Sequence, residues 1–122
     1  MNALLIVAHG SRRAQSNEEV AALADTIRQK CGDEYPIVHA GFLELAEPSI
    51  PDGVTKCIDD GANNVTVLPY FLNSGRHVVE DVPEMLEQAR LKHPDAEITL
   101  APHLGASSMM LDLVISLAKS AS

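Results

Sequence analysis

The sequence predicts an α/β protein: a single doubly wound sheet of four parallel strands with helices on both faces. Three observations carry that reading. Four short apolar runs alternate with four segments of helical spacing. The first run is continuous rather than alternating, as a strand covered on both faces must be. The stretch Val65 to Glu84 passes from a β-branched run through a turn into helical spacing, which is one half of a βαβ unit. Right-handed crossovers then join parallel neighbours.

In chain order, Ala3 to Ala8 reads as the first strand, followed by the loop His9, Gly10, Ser11, Arg12 and Arg13. Ser16 and Glu19 have the spacing of a capping box, and Val20, Leu23, Ala24, Ile27 and Cys31 form the stripe of the helix, which Gly32 stops. Ile37 to Phe42 is the second strand, and its loop carries Glu44, Glu47 and Pro48. Ser49 caps a second helix with Ile50, Val54, Cys57 and Ile58 on one face, ended by Gly61. The third strand opens at Val65. Pro83 interrupts the helical pattern beyond it, which predicts a turn at His77 to Glu80 and a new helix capped by Asp81, with Val82, Met85, Leu86 and Ala89 facing inward. Ile98 to Ala101 is the fourth strand. Ser107 caps a last helix with the stripe Met110, Leu113, Val114 and Leu117, and Met109 and Met110 read as core fillers.

The 122 residues suit one domain, residues 1–122, that buries roughly two-thirds of its unfolded surface. Aromatic content is 3% with no tryptophan, so the core must be aliphatic and base-stacking platforms are not expected. Asp and Glu outnumber Lys and Arg 17 to 9, the reverse of a nucleic-acid-binding balance. Cys31 and Cys57 lie on helical segments without CxxC or zinc spacing, and read as small core residues of a reduced protein. The first residues form no basic leader, and no segment approaches the ~20 apolar residues of a membrane span. A cytoplasmic protein without membrane partners is expected.

All four strand-to-helix loops should emerge on one sheet edge, where ligands bind in such folds. They hold His9, Ser11, Arg12, Arg13, Glu44, Glu47, Tyr70, Asn73, Ser74, Gly75, Arg76, His77 and His103. Three arginines make a cationic rim on an acidic chain, and guanidinium forks match carboxylate or phosphate. Imidazole and carboxylate together suit cobalt, nickel, iron or zinc. Without a thiolate, His9, Glu44 and His77 would bind such an ion weakly and release it, which suits transfer. His39 and His93 read as structural histidines, and Glu80, Asp81 and Glu84 as acids favoured at a helix start.

Three motifs in order, Ala8-His9-Gly10-Ser11-Arg12, Gly41-Phe42-Leu43-Glu44 through Pro48-Ser49-Ile50, and Leu68-Pro69-Tyr70-Phe71-Leu72 through Gly75-Arg76-His77-Val78 to Asp81-Val82-Pro83, resemble the class II tetrapyrrole chelatases. The closest resemblance is to the short sirohydrochlorin chelatases of the CbiX type, and it spans nearly the whole chain. It implies insertion of a divalent metal into sirohydrochlorin without a nucleotide, with Co2+ first and Fe2+ or Ni2+ next. It implies that His9 and His77 bind metal and accept protons, with Glu44 as their carboxylate partner. Arg12, Arg13 or Arg76 would draw in the anionic tetrapyrrole, with Ser11, Tyr70, Asn73, Ser74, Gly75 and His103 as further substrate contacts. Longer relatives carry two such domains facing one cleft, so a homodimer with the site between subunits is expected. Arg13 stands where many relatives carry an acid.

Two other classes fit part of the pattern. A histidine-nucleophile phosphatase could use His9 and His103, but Ala8 takes the place of its phosphate-holding arginine. A non-catalytic carrier of metal or tetrapyrrole would bind both without turnover. A response regulator is excluded because strand three ends in Pro69 and Tyr70 rather than an aspartate.

Overall fold

The apolar runs pair into one all-parallel sheet, ordered β2-β1-β3-β4, from β1 (Asn2–Ala8), β2 (Ile37–Phe42), β3 (Asn64–Pro69) and β4 (Glu97–Leu100). The helices are α1 (Ala14–Cys31), α2 (Ile50–Asp59), α3 (Val82–Lys92) and α4 (Met109–Ser120), with a 3-10 turn at Leu104–Ala106 before the last. The computed structural model describes residues 1–76 and 80–121. The expected turn at His77 to Glu80 therefore lies largely outside the described residues.

Side chains alternate across a strand, and β1, between β2 and β3, feeds two cores. Ala3, Leu5 and Val7 join Val65, Val67 and Ile98 under α2 and α3, meeting Ile50, Val54, Cys57, Val82, Leu86 and Ala89. On the opposite face Ile6 meets Val38 and Ala24, with Val20, Leu23 and Ile27 of α1 around them. Leu5 is paired in register with both His39 and Val67, so one central residue sets the alignment of three strands. The helix stripes of α2 and α3 are thus those the spacing predicts, and so is that of α1 as far as Ile27.

Three local expectations are corrected. α1 is capped at Arg13 rather than Ser16, because the preceding turn is closed by other bonds: Ser11 Oγ accepts from the Arg13 N–H at 3.0 Å, and the Ser16 N–H already bonds the Arg13 carbonyl. Asp81 is the N-cap position of α3, as expected, but it has helical backbone and makes no side-chain cap bond. Cys31 is exposed at the last position of α1, because Tyr35, not Cys31, completes the α1 cluster. Ser49 does cap α2, accepting from the Asp52 N–H at 3.2 Å.

Cys57, by contrast, has no exposed surface, and burial, reinforced by the Asp60 charge, pushes its thiol up to about 12. It therefore stays protonated and unreactive at neutral pH. A thiol reagent such as Ellman's is expected to titrate one cysteine in the native chain and two after denaturation; two reactive thiols in the native state would contradict this packing.

The largest departure is α4. Its spacing predicts an apolar stripe, and the stripe is there, but it covers no sheet face of its own chain. None of its residues is buried, its contacts are chiefly with the 3-10 turn before it, and Met109, Leu113, Val114 and Leu117 are 74%, 48%, 58% and 61% exposed. Met109 is therefore not a core filler here. The sheet face that α1 covers over β1 and β2 continues over β3 and β4 with Thr66 and Leu68 half-buried and Thr99 exposed. Helix and sheet leave complementary surfaces uncovered, and the expectation of helices on both faces holds in this chain through α1 alone on that side.

Candidate functional site

Backbone hydrogen bonds bring the loops at the carboxyl edge together. The Leu43 N–H donates to the Ala8 carbonyl at 3.0 Å and the Glu44 N–H to the His9 carbonyl at 3.1 Å. On the other side of β1, the Tyr70 N–H donates to the Val7 carbonyl at 2.7 Å, and the Gly105 N–H reaches the Phe71 carbonyl at 2.9 Å. Gly10 is required by this closeness. Its φ is +93°, and a Cβ there would lie 1.7 Å from the Glu44 carbonyl oxygen. Leu45, next to Glu44, takes a left-handed φ of 65° that costs a non-glycine residue about 1–2 kcal/mol.

These bonds set His9 beside Glu44. His9 Nε2 lies 2.9 Å from Glu44 Oε1, with the two side chains 44% and 54% exposed. The Phe71 ring meets the imidazole edge-on, with centroids 6.4 Å apart and planes at 87°. Nitrogen and oxygen donors bind a transition ion at about 2.0–2.2 Å, so two neighbouring ligands stand ~3 Å apart. The separation of His9 and Glu44 is that of a hydrogen bond and also lies near that span, so both donors reach one small region of the edge. Among the described residues, no group of three or more His, Cys, Asp or Glu side chains is placed to hold a metal. One chain's described residues supply two donors. His77, the third expected donor, lies outside the described residues.

The other expected site residues divide clearly. Ser11 is committed to its turn: its N–H and carbonyl are bracketed by the Asn17 amide at 3.0 and 2.8 Å, and its hydroxyl serves Arg13. Arg12 and Arg13 are exposed, with Arg13 Nη2 3.4 Å from Gln15 Oε1. Tyr70, Asn73, Ser74 and Gly75 line the exposed segment after β3, half-buried Phe71 aside. Arg76 is exposed and lies 3.4 Å from Glu80, an i,i+4 pair of the kind that contributes little. His103 is half-buried and lines a separate cleft with Leu68 and Pro102. The structure thus joins His9 with Glu44 and sets His103 in its own cleft. His39 and His93 are structural, as expected: His39 Nε2 is 2.6 Å from Asp60 Oδ2, and His93 Nε2 is 2.8 Å from the Thr55 hydroxyl.

Sequence reasoning gave no role to Phe71, Asn17 or the close approach at Gly105, where a Cβ would lie 1.8 Å from the Leu72 carbonyl oxygen. Only the glycines themselves, in otherwise polar loops, hinted at backbone crowding.

A four-stranded parallel sheet in the order 2-1-3-4, with an imidazole and a carboxylate paired at its carboxyl edge, defines a small α/β protein whose candidate site lies at that edge. The CbiX family model matches residues 3–121. The chain belongs to the CbiX family. It is 38% identical over 111 residues to a chloroplastic sirohydrochlorin ferrochelatase of Arabidopsis thaliana, covering 91% of this chain and 48% of that one. It is 41% identical over 86 residues to a sirohydrochlorin cobaltochelatase of Methanocaldococcus jannaschii, covering 70% and 59%. Among solved structures it resembles the sirohydrochlorin chelatase SirB of Bacillus subtilis subspecies spizizenii in complex with cobalt, with a TM-score of 0.85 and 29% identity, over 98% of this chain and 50% of that one. The chain therefore spans about half the length of these relatives.

Proposed function

We propose that this chain is a sirohydrochlorin chelatase, a lyase that inserts a divalent metal into an anionic tetrapyrrole without a nucleotide. The observation that carries the reading is the His9–Glu44 pair, spaced for one ion at the open edge of the sheet. Family membership and relatives named for cobalt and iron chelation of sirohydrochlorin support it. Co2+ is the first candidate substrate, with Fe2+ or Ni2+ next. Neither imidazole nor carboxylate discriminates strongly among them.

Insertion exchanges two pyrrole N–H protons for one divalent ion, so the site must deliver a metal and accept protons. A neutral imidazole does either, and His9 and His77 take those roles in this reading, with Glu44 orienting His9 and neutralising charge. Exposed Arg12, Arg13 and Arg76 attract the substrate's carboxylates. Ser11, Tyr70, Asn73, Ser74, Gly75 and His103 complete the substrate contacts in this proposal. Ser11 acts through its main chain and turn.

The active unit in this reading is a homodimer of single-domain chains with the site between subunits. The two donors that one chain's described residues bring together are few for an ion held against water, and a second carboxyl edge supplies more. The uncovered α4 stripe and the uncovered β3–β4 face support the same reading, because each of two copies can cover the other's sheet with its last helix. No helix among the described residues is long and apolar enough to cross a membrane.

The test is anaerobic incubation with sirohydrochlorin and Co2+, Fe2+ or Ni2+ in turn, without ATP, followed by visible absorption. Catalysed formation of a metallated spectrum with at least one ion is expected. Binding of both partners with no acceleration over the protein-free rate would make the chain a carrier instead.

A further inference from the structure

We propose that Phe71 is a positioning residue that fixes the His9 imidazole in the orientation from which it holds the metal. The inference rests on the reading of His9 as a metal-holding residue and extends it to a side chain that offers no donor atom.

Four observations support it. The Phe71 ring stands at 87° to the imidazole with centroids 6.4 Å apart, the geometry in which aromatic rings attract edge to face. Glu44 approaches the same imidazole at 2.9 Å through Nε2, so carboxylate and ring act on one histidine. Phe71 is itself held by the core, packing against the cluster beneath α2 and α3. Its backbone is clamped on two sides, by β1 and by the turn after β4. The preceding Tyr70 N–H is bonded to Val7 of β1, and its own carbonyl accepts from Gly105, beyond β4.

The Gly105 clamp leaves no slack. The Leu72 carbonyl oxygen occupies the space a Cβ at residue 105 would need, 1.8 Å away. The segment after β3 is thus pressed against the turn after β4, and the ring it carries faces His9. The contact with Glu44 fixes one ring nitrogen of His9, and the Phe71 ring adds a steric limit on how the imidazole turns about it. A hydrocarbon ring restricts it without competing for the ion and without offering a proton acceptor.

The experiment is a titration of the full chain with Co2+ alone, read by the visible absorption of the bound ion, for wild type, Phe71→Leu, Phe71→Tyr and His9→Ala. Unfolding curves are run in parallel, with Phe71→Met as the second apolar replacement should leucine prevent folding. Phe71→Leu is expected to weaken Co2+ binding by about three- to tenfold, and Phe71→Tyr to restore it. In turnover, KM for Co2+ should rise with the loss while KM for the tetrapyrrole stays at its wild-type value. Wild-type Co2+ affinity and spectrum in Phe71→Leu, alongside weakened binding in His9→Ala, would overturn the positioning role alone. Undiminished binding in His9→Ala would overturn the reading of His9 together with it.

Discussion

Replacing His9 with alanine is expected to lower kcat/KM for metal insertion by at least about a hundredfold, the lower range for loss of a positioned acid–base group. The loss should be larger if the same imidazole also carries the ion to the ring. The fold should survive, because the side chain is 44% exposed and the local frame runs through main-chain atoms that alanine retains. Glu44→Gln separates the two contributions. It keeps an acceptor near Nε2 but removes the charge, so it should weaken metal binding while leaving a measurable rate. Stopped-flow absorbance under nitrogen reads all three proteins. An alanine variant with wild-type kinetics would show that the pair at the sheet edge is not where insertion takes place.

The second large effect is expected from Leu113→Glu combined with Leu117→Glu on α4. Burying a leucine contributes about 1.5–3 kcal/mol, and tenfold in a dissociation constant is about 1.4 kcal/mol. Two leucines on each of two exchanged helices therefore govern several powers of ten in self-association. Light scattering after gel filtration should show dimers for the wild type and monomers for the variant, and insertion should fall with the dimer. Secondary structure should persist, since α4 buries nothing in its own chain. A variant that stays dimeric at micromolar concentration would sever α4 from assembly, and a wild type that is active as a monomer would refute the shared site.

The strands and the first three helices were legible because their residues answer to one local rule each. Apolar continuity marks a strand covered twice, and a 3.6-residue stripe marks a helix facing a core. Ala3 to Val7 and Ile50 to Cys57 obey those rules within this chain. On α4 the same rule marks a stripe but not its destination, because periodicity says that a face seeks cover and not which molecule provides it. Cys31 failed for a related reason: it extends the α1 stripe by one step beyond the cluster, where spacing continues but the core does not. His9 and Glu44 were legible as strand-end groups of complementary chemistry. Phe71 was not, since an aromatic beside a strand looks like any core residue until its ring is found against an imidazole.

The stitching of the carboxyl edge has an evolutionary consequence. Leu43 to Ala8, Glu44 to His9, Tyr70 to Val7 and Gly105 to Phe71 are all bonds between peptide groups, which every amino acid but proline can donate and any can accept. Exchanging the side chain at position 44 leaves the scaffold's own fastenings untouched. In the chelatase reading, a lineage can therefore change the donor at that position by a single substitution, without first having to rebuild the platform that presents it.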